Sequence, residues 1–201
     1  MIAEISETEG PLRLSTARPL TRAYFLKFIA ANPDLRTKLT AEGEMIVMAP
    51  AHSRSGHQNA ALTAQLFVWA LQDGYGQAYD SSTGYDLPDG SNRSPDASWV
   101  TKSRLALLSD EERDDFLPLC PDFVIELRPK SDSVRMLRNK MTEYISNGAR
   151  LGWLIDPFNR SVHIYRPHTP VQFLEEPAML SGDPELPGFV LNLQPIFNPE
   201  F

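Results

Sequence analysis

Two acidic side chains stand where apolar runs end. Pro95-Asp96-Ala97-Ser98-Trp99-Val100 places Asp96 at the mouth of one run, and Pro121-Asp122-Phe123-Val124-Ile125-Glu126-Leu127-Arg128 places Glu126 near the end of another. Burying an ionised carboxylate without a partner is costly enough that the group either finds a cation or takes up a proton. Strands that end this way imply a metal, a cation or a functional pocket, and two of them imply one shared site. Each residue also has a plainer reading. Asp96 after proline could cap a turn, and Glu126 could form a structural ion pair with Arg128. Asp122 repeats the Pro-Asp dipeptide, but alternation sets Asp122, Val124 and Glu126 on one face with Glu126 deeper, so Asp122 is read as structural.

A single domain is expected to present these residues, since the 201 residues contain no long low-complexity linker. The lone Cys120 rules out an intrachain disulfide and offers no zinc-ligand spacing. The polar, acidic start from Met1 to Gly10 does not resemble a secretion signal, and no apolar run approaches the length needed to span a bilayer. A cytoplasmic location without membrane contact is the expectation. The net charge of −7 weighs against nucleic acid as a partner. Its distribution weighs the other way. Asp110, Glu111, Glu112, Asp114 and Asp115 crowd one expected loop, while Arg128, Lys130, Arg135, Arg138, Lys140 and Arg150 face only Asp132 and Glu143. A local basic surface is compatible with that pattern.

The elements that must carry the site follow from periodicity. Thr21 precedes Tyr24, Phe25, Phe28 and Ile29 at helical spacing. Glu44 to Met48 reads as a strand, and Ala51 to Arg54 as a loop. Ser55-Gly56-His57-Gln58 has the form of a capping box, ahead of Leu62, Leu66 and Trp69, with Asp73-Gly74 as the stop. Gln77 to Tyr79 and Thr83 to Leu87 are short strands before a turn at Pro88 to Asn92. After the strand of Glu126, Ser131 or Asp132 is expected to cap a helix running to Asn147. Its buried stripe is Val134, Leu137, Met141, Tyr144 and Ile145. Leu151 to Ile155 and Val162 to Tyr165 are strands joined at Asp156-Pro157-Phe158-Asn159. The proline-rich tail reads as irregular apart from a strand over Phe189 to Leu193. The order gives an α/β domain, a sheet with helices packed against it.

One ordered set of residues resembles a known family. It comprises the Gly43-Glu44-Met45 strand, His57-Gln58, Pro95-Asp96, and Pro121-Asp122 through Glu126. It continues with Lys140 followed by Tyr144 and Gly148, and ends with Gly152-Trp153-Leu154-Ile155-Asp156-Pro157. Over about residues 20 to 197 the chain resembles the PD-(D/E)XK nuclease superfamily and, within it, the Uma2-type group of restriction-endonuclease-like proteins. The resemblance implies a mixed central sheet flanked by helices over 20–197, with 1–19 as an N-terminal extension. It implies hydrolysis of phosphodiesters, DNA first, dependent on Mg²⁺ with Mn²⁺ as a substitute. Asp96, Glu126 and the Leu127 carbonyl would be the metal ligands. The superfamily places lysine two residues after the glutamate, where this chain has Arg128, and arginine cannot act as a base at neutral pH. In the resembling group the lysine moves to the following helix, where Lys140 stands, leaving Arg128 as a phosphate clamp. Glu44, His57 and Gln58 are carried over as auxiliary residues, the helix start near Ser55 to Gln58 favouring an anion.

Two rival readings remain at the level of sequence. One is a catalytically degenerate nuclease fold that binds nucleic acid or protein, and the other is a hydrolase of a different phosphate ester. A homodimer would set two sites on the two strands of a duplex, although a nicking monomer would also serve.

Overall fold

The computed structural model describes residues 4–5, 12–16, 18–48, 50–130 and 133–199. In chain order, β1 (Glu4–Ile5) and β2 (Leu12–Ser15) lead to α1 (Arg22–Ala31), β3 (Arg36–Leu39) and β4 (Met45–Met48). The long helix α2 (Ser53–Asp73) precedes β5 (Gly76–Asp80), β6 (Tyr85–Asp86), β7 (Asn92–Arg93) and β8 (Ala97–Thr101). The short helices α3 (Lys102–Leu105) and α4 (Asp110–Asp114) come before β9 (Phe123–Leu127), α5 (Val134–Ser146), β10 (Leu151–Asp156) and β11 (Ser161–Tyr165). The tail adds β12 (Gln172–Glu175), β13 (Met179–Ser181), β14 (Val190–Asn192) and α6 (Gln194–Phe197).

The central sheet has the order β12-β11-β10-β9-β8-β5. It is mixed, because β9 and β10 run parallel across the α5 crossover while the other neighbours are antiparallel. Helices on both faces explain why β9 and β10 are continuous apolar runs rather than alternating ones. Leu62, Leu66 and Ala70 of α2 pack with the tail on Phe123, Ile125, Trp153 and Ile155. Leu137, Met141 and Tyr144 of α5 pack on Val124, Leu154 and Tyr165 on the other face. The architecture is the mixed α/β arrangement that the sequence implies.

A second sheet, β1-β2-β4-β3-β7-β6, is antiparallel and holds α1 through Phe25, Leu39 and Met45. Its strand β2 lies within residues 1–19 and pairs with β4. Thr21 caps α1 as expected, its side chain accepting the Tyr24 N–H. Tyr24, expected on the buried face, is instead 43 % exposed. Among the described residues no helix is long and apolar enough to cross a membrane.

Several boundaries differ from expectation for identifiable reasons. Helix α2 begins at Ser53 behind His52, which makes no side-chain cap bond, so Ser55 and Gln58 lie inside the helix and form no capping box. Its C-terminus does end at Gly74, in the left-handed conformation that glycine accepts without strain. Ser133 caps α5 by accepting the Met136 N–H at 3.2 Å, while Ser131 and Asp132 lie outside the described residues. The acidic loop contains α4, closed by a capping box between Ser109 and Glu112. The tail is ordered by pairing, β12 with β11 and β13 with β14; β14 falls within the strand expected over Phe189 to Leu193, while β12 and β13 lie where the tail was read as irregular.

Candidate active site

Strands β8 and β9 are antiparallel with Ala97 opposite Ile125. One step further the register sets Asp96 beside Glu126, and opposed residues of such a pair share a sheet face. Asp96 also lies within the fields of Glu126 and Lys140, so the two carboxyl groups gather at the end where β8 meets β9. Asp96 Oδ2 accepts the Leu127 N–H at 2.7 Å, which fastens it to the end of β9. The N–H and C=O of one strand residue point to the same edge, so the Leu127 carbonyl lies on the Asp96 side as well.

Glu126 is 4 % exposed, and helix α5 supplies its counter-charge. Its Oε1 lies 2.5 Å from Lys140 Nζ and accepts the Tyr144 hydroxyl at 3.1 Å. Lys140 and Tyr144 are four residues apart, the spacing that stacks side chains on one helix face. Glu126 thus pairs with Lys140 and not with Arg128. Arg128 Nη1 instead donates to Asp156 Oδ2 at 2.8 Å.

Two further residues converge that sequence reasoning did not single out. Asn59 of α2 extends Nδ2 to within 3.4 Å of Asp96 Oδ1, and its own Oδ1 is buried without a hydrogen-bond partner. Lys38 of β3 donates from Nζ to the Ser94 carbonyl at 2.9 Å, two residues before Asp96. The groups feel one another. Burial first, then the charge of Glu126, pushes Asp96 up to about 6. Burial first, then the charge of Lys140, brings Lys38 down to about 7. Burial and the same glutamate hold the Tyr144 hydroxyl well above its usual range.

The auxiliary residues are distributed differently. Glu44 pairs with Arg13 at 2.7 Å, and that guanidinium also reaches Met136 Sδ of α5 at 3.0 Å. Gln58 is turned away from the carboxylates, donating from Nε2 to the Ile196 carbonyl at 2.6 Å in the buried tail contact. His57 is exposed and stands two residues from Asn59, about 200° around the helix axis. The sequence signal at this helix start was therefore displaced by one or two positions from the residue that reaches Asp96.

The donors at this edge are hard oxygens: two carboxylates, the Leu127 carbonyl and the uncommitted Asn59 Oδ1. Among the described residues no group of three or more His, Cys, Asp and Glu side chains is placed to hold a metal ion. That set does not suit zinc, which favours nitrogen and sulfur. It suits Mg²⁺, which takes one or two carboxylates and completes its shell with water and phosphate oxygen. A buried amide oxygen with free lone pairs beside Asp96 fits the same kind of cation.

A mixed sheet with paired carboxylates at the edge of adjoining strands, and a lysine from the crossover helix, defines a restriction-endonuclease-like fold. Residues 22–194 match the model of the Uma2 family, described as "Putative restriction endonuclease", and the chain belongs to that family. Among solved structures the fold is similar to that of "a putative nuclease belonging to DUF820 from Anabaena variabilis ATCC 29413". The TM-score is 0.74 at 21% sequence identity, over 89% of this chain and 98% of that one. Comparison with curated proteins gives no match. The family match supports nuclease activity in general terms.

Proposed function

We propose that this protein is a Mg²⁺-dependent phosphodiester hydrolase acting on DNA as an endonuclease. The observation that carries the reading is the convergence of Asp96, Glu126 and Lys140, from three separate elements, on the edge where β8 meets β9. Mg²⁺, or Mn²⁺ in its place, held by Asp96, Glu126 and the Leu127 carbonyl, would lower the pKa of a bound water and offset charge on the phosphate. The remaining work falls to the chain. The Leu127 N–H fixes one oxygen of Asp96, and the other, approached by Asn59 Nδ2 at 3.4 Å, has a further lone pair for a ligand. Lys140 and Tyr144 hold the Glu126 carboxyl group in one orientation in a buried setting. Arg128, just past the end of β9, pairs with Asp156 at 2.8 Å.

Supercoiled plasmid incubated with purified protein and Mg²⁺ or Mn²⁺ tests the proposal. Wild type is expected to nick or linearise the plasmid, and an Asp96→Ala, Glu126→Ala double variant to lose that activity by roughly 100-fold or more while remaining folded. Equal background nicking by both proteins would overturn it. Two-fold pairing, which would present two such sites to a duplex, belongs to the same proposal and is read from the mass in solution by light scattering.

A further inference from the structure

The second sheet brings its own cations to the site. Lys38 and Arg36 are two residues apart on β3, so their side chains leave the same strand face about 7 Å apart. Both reach the β5–β8 side of the central sheet. Lys38 Nζ donates to the Ser94 carbonyl at 2.9 Å, just before Asp96, and Arg36 Nη2 donates to the Ser81 carbonyl at 2.7 Å, just after β5.

Their partners set these two cations apart from their neighbours. Lys140 is matched by Glu126, Arg13 by Glu44, Arg93 by Glu143 and Arg128 by Asp156. Lys38 and Arg36 are held by neutral oxygens, so their charge is not cancelled by contact with a carboxylate. Asp80 lies within the field of Arg36, but its Oδ1 is bound by the Ser82 N–H and hydroxyl. Lys38 in turn lies within the fields of Asp96, Glu126 and Lys140. A phosphate arriving between β3 and the carboxylates would lie within reach of the Lys38 and Arg36 side chains.

We propose that β3 is the phosphate track of the site, Lys38 contacting the phosphate next to Asp96 and Glu126 and Arg36 the adjoining phosphate of the same strand. Lys140 then acts through Glu126 as a positioning residue. The inference rests on the nucleic-acid half of the function proposed above, and it assigns to this chain a substrate surface on the sheet that does not carry the carboxylates.

The test is binding of a fluorescein-labelled DNA duplex of about 20 base pairs, with Ca²⁺ replacing Mg²⁺, followed by anisotropy across a salt series. Lys38→Met and Arg36→Met are each expected to weaken binding several-fold and to lower the slope of log affinity against log salt by about one. Lys38→Arg is expected to keep the slope, and Lys140→Met to keep it while losing cleavage. The proposal is overturned if Lys38→Met and Arg36→Met, folded by thermal melting, bind with the affinity and slope of wild type. A wild type that binds the duplex with these dependences yet never cleaves it defeats the hydrolase reading alone. Cleavage with an unchanged salt slope in both β3 variants defeats the track alone.

Discussion

A glutamate near the end of a buried strand stays useful only if something meets its charge, and here Tyr144 and Lys140 come to it from one face of α5. Tyr144 is fully buried, so its hydroxyl has Glu126 as partner and no route to bulk water. Tyr144→Phe keeps the ring that packs against Met141 and Leu137 and removes only the bond to the carboxylate. The stability loss is expected to be small, about 1 kcal/mol. The carboxylate loses one of two restraints, so kcat for plasmid cleavage is expected to fall about tenfold with KM little changed. Steady-state kinetics beside a urea titration would show this, and an unchanged kcat would remove Tyr144 from the positioning of Glu126. At this scale the sequence was partly readable. Asp96 and Glu126 stood out because a carboxylate is expensive at the end of an apolar run, whereas Lys140 was placed by the family resemblance alone. Lys38 did not, because Arg36-Thr37-Lys38-Leu39 has too little apolar alternation to announce a strand. Asn59 did not, because a neutral amide inside a helix carries no charge to explain.

The elements that hold these side chains depend on close packing at a few glycines. Gly76 opens β5 opposite Thr101, and a Cβ there would run into the Trp99 indole. Trp99 cannot withdraw easily, because it packs against Trp69 with ring centroids 5.6 Å apart. Gly152 on β10 meets the methyl end of Met141, a flexible chain that can move aside. Gly76→Ala is therefore expected to cost about 1–3 kcal/mol and Gly152→Ala distinctly less. Urea unfolding of the two variants would check the order, and a reversed order would mean that Trp99 has room to shift. Elements made of continuous apolar runs, such as β9 and β10, or of a clear helical stripe, such as α5, were legible before the fold. Those that exist through partnership were not. Strand β7 is Asn92-Arg93, held to β3 and β6 by register, and β12 is ordered by β11. The start of α2 was misplaced because Ser55 and Gln58 imitate a cap while Gln58 serves the tail.

Across the whole molecule, the tail closes the core that the central sheet leaves open. Leu180, Leu186, Phe189, Leu191, Leu193 and Ile196 are all buried against α2, β9 and β10. Phe189 sits among three rings: it stacks on Trp153 at 5.7 Å, meets Phe123 at 6.0 Å and Trp69 at 5.2 Å. Trp69 belongs to the same helix as Asn59, and Gln58, adjoining Asn59, binds the Ile196 carbonyl. The tail therefore holds α2 in the position from which Asn59 reaches Asp96. Phe189→Ala removes a buried ring between three others, a change that typically costs about 3–5 kcal/mol. Set against a total stability of about 5–15 kcal/mol, that loss should leave the fold marginal. The expected result is a large fall in the urea midpoint with a single transition, because sheet, α2 and tail share one core. Two separate transitions, or a loss below about 1 kcal/mol, would show that the tail is a dispensable cover and that α2 is held by the sheet alone.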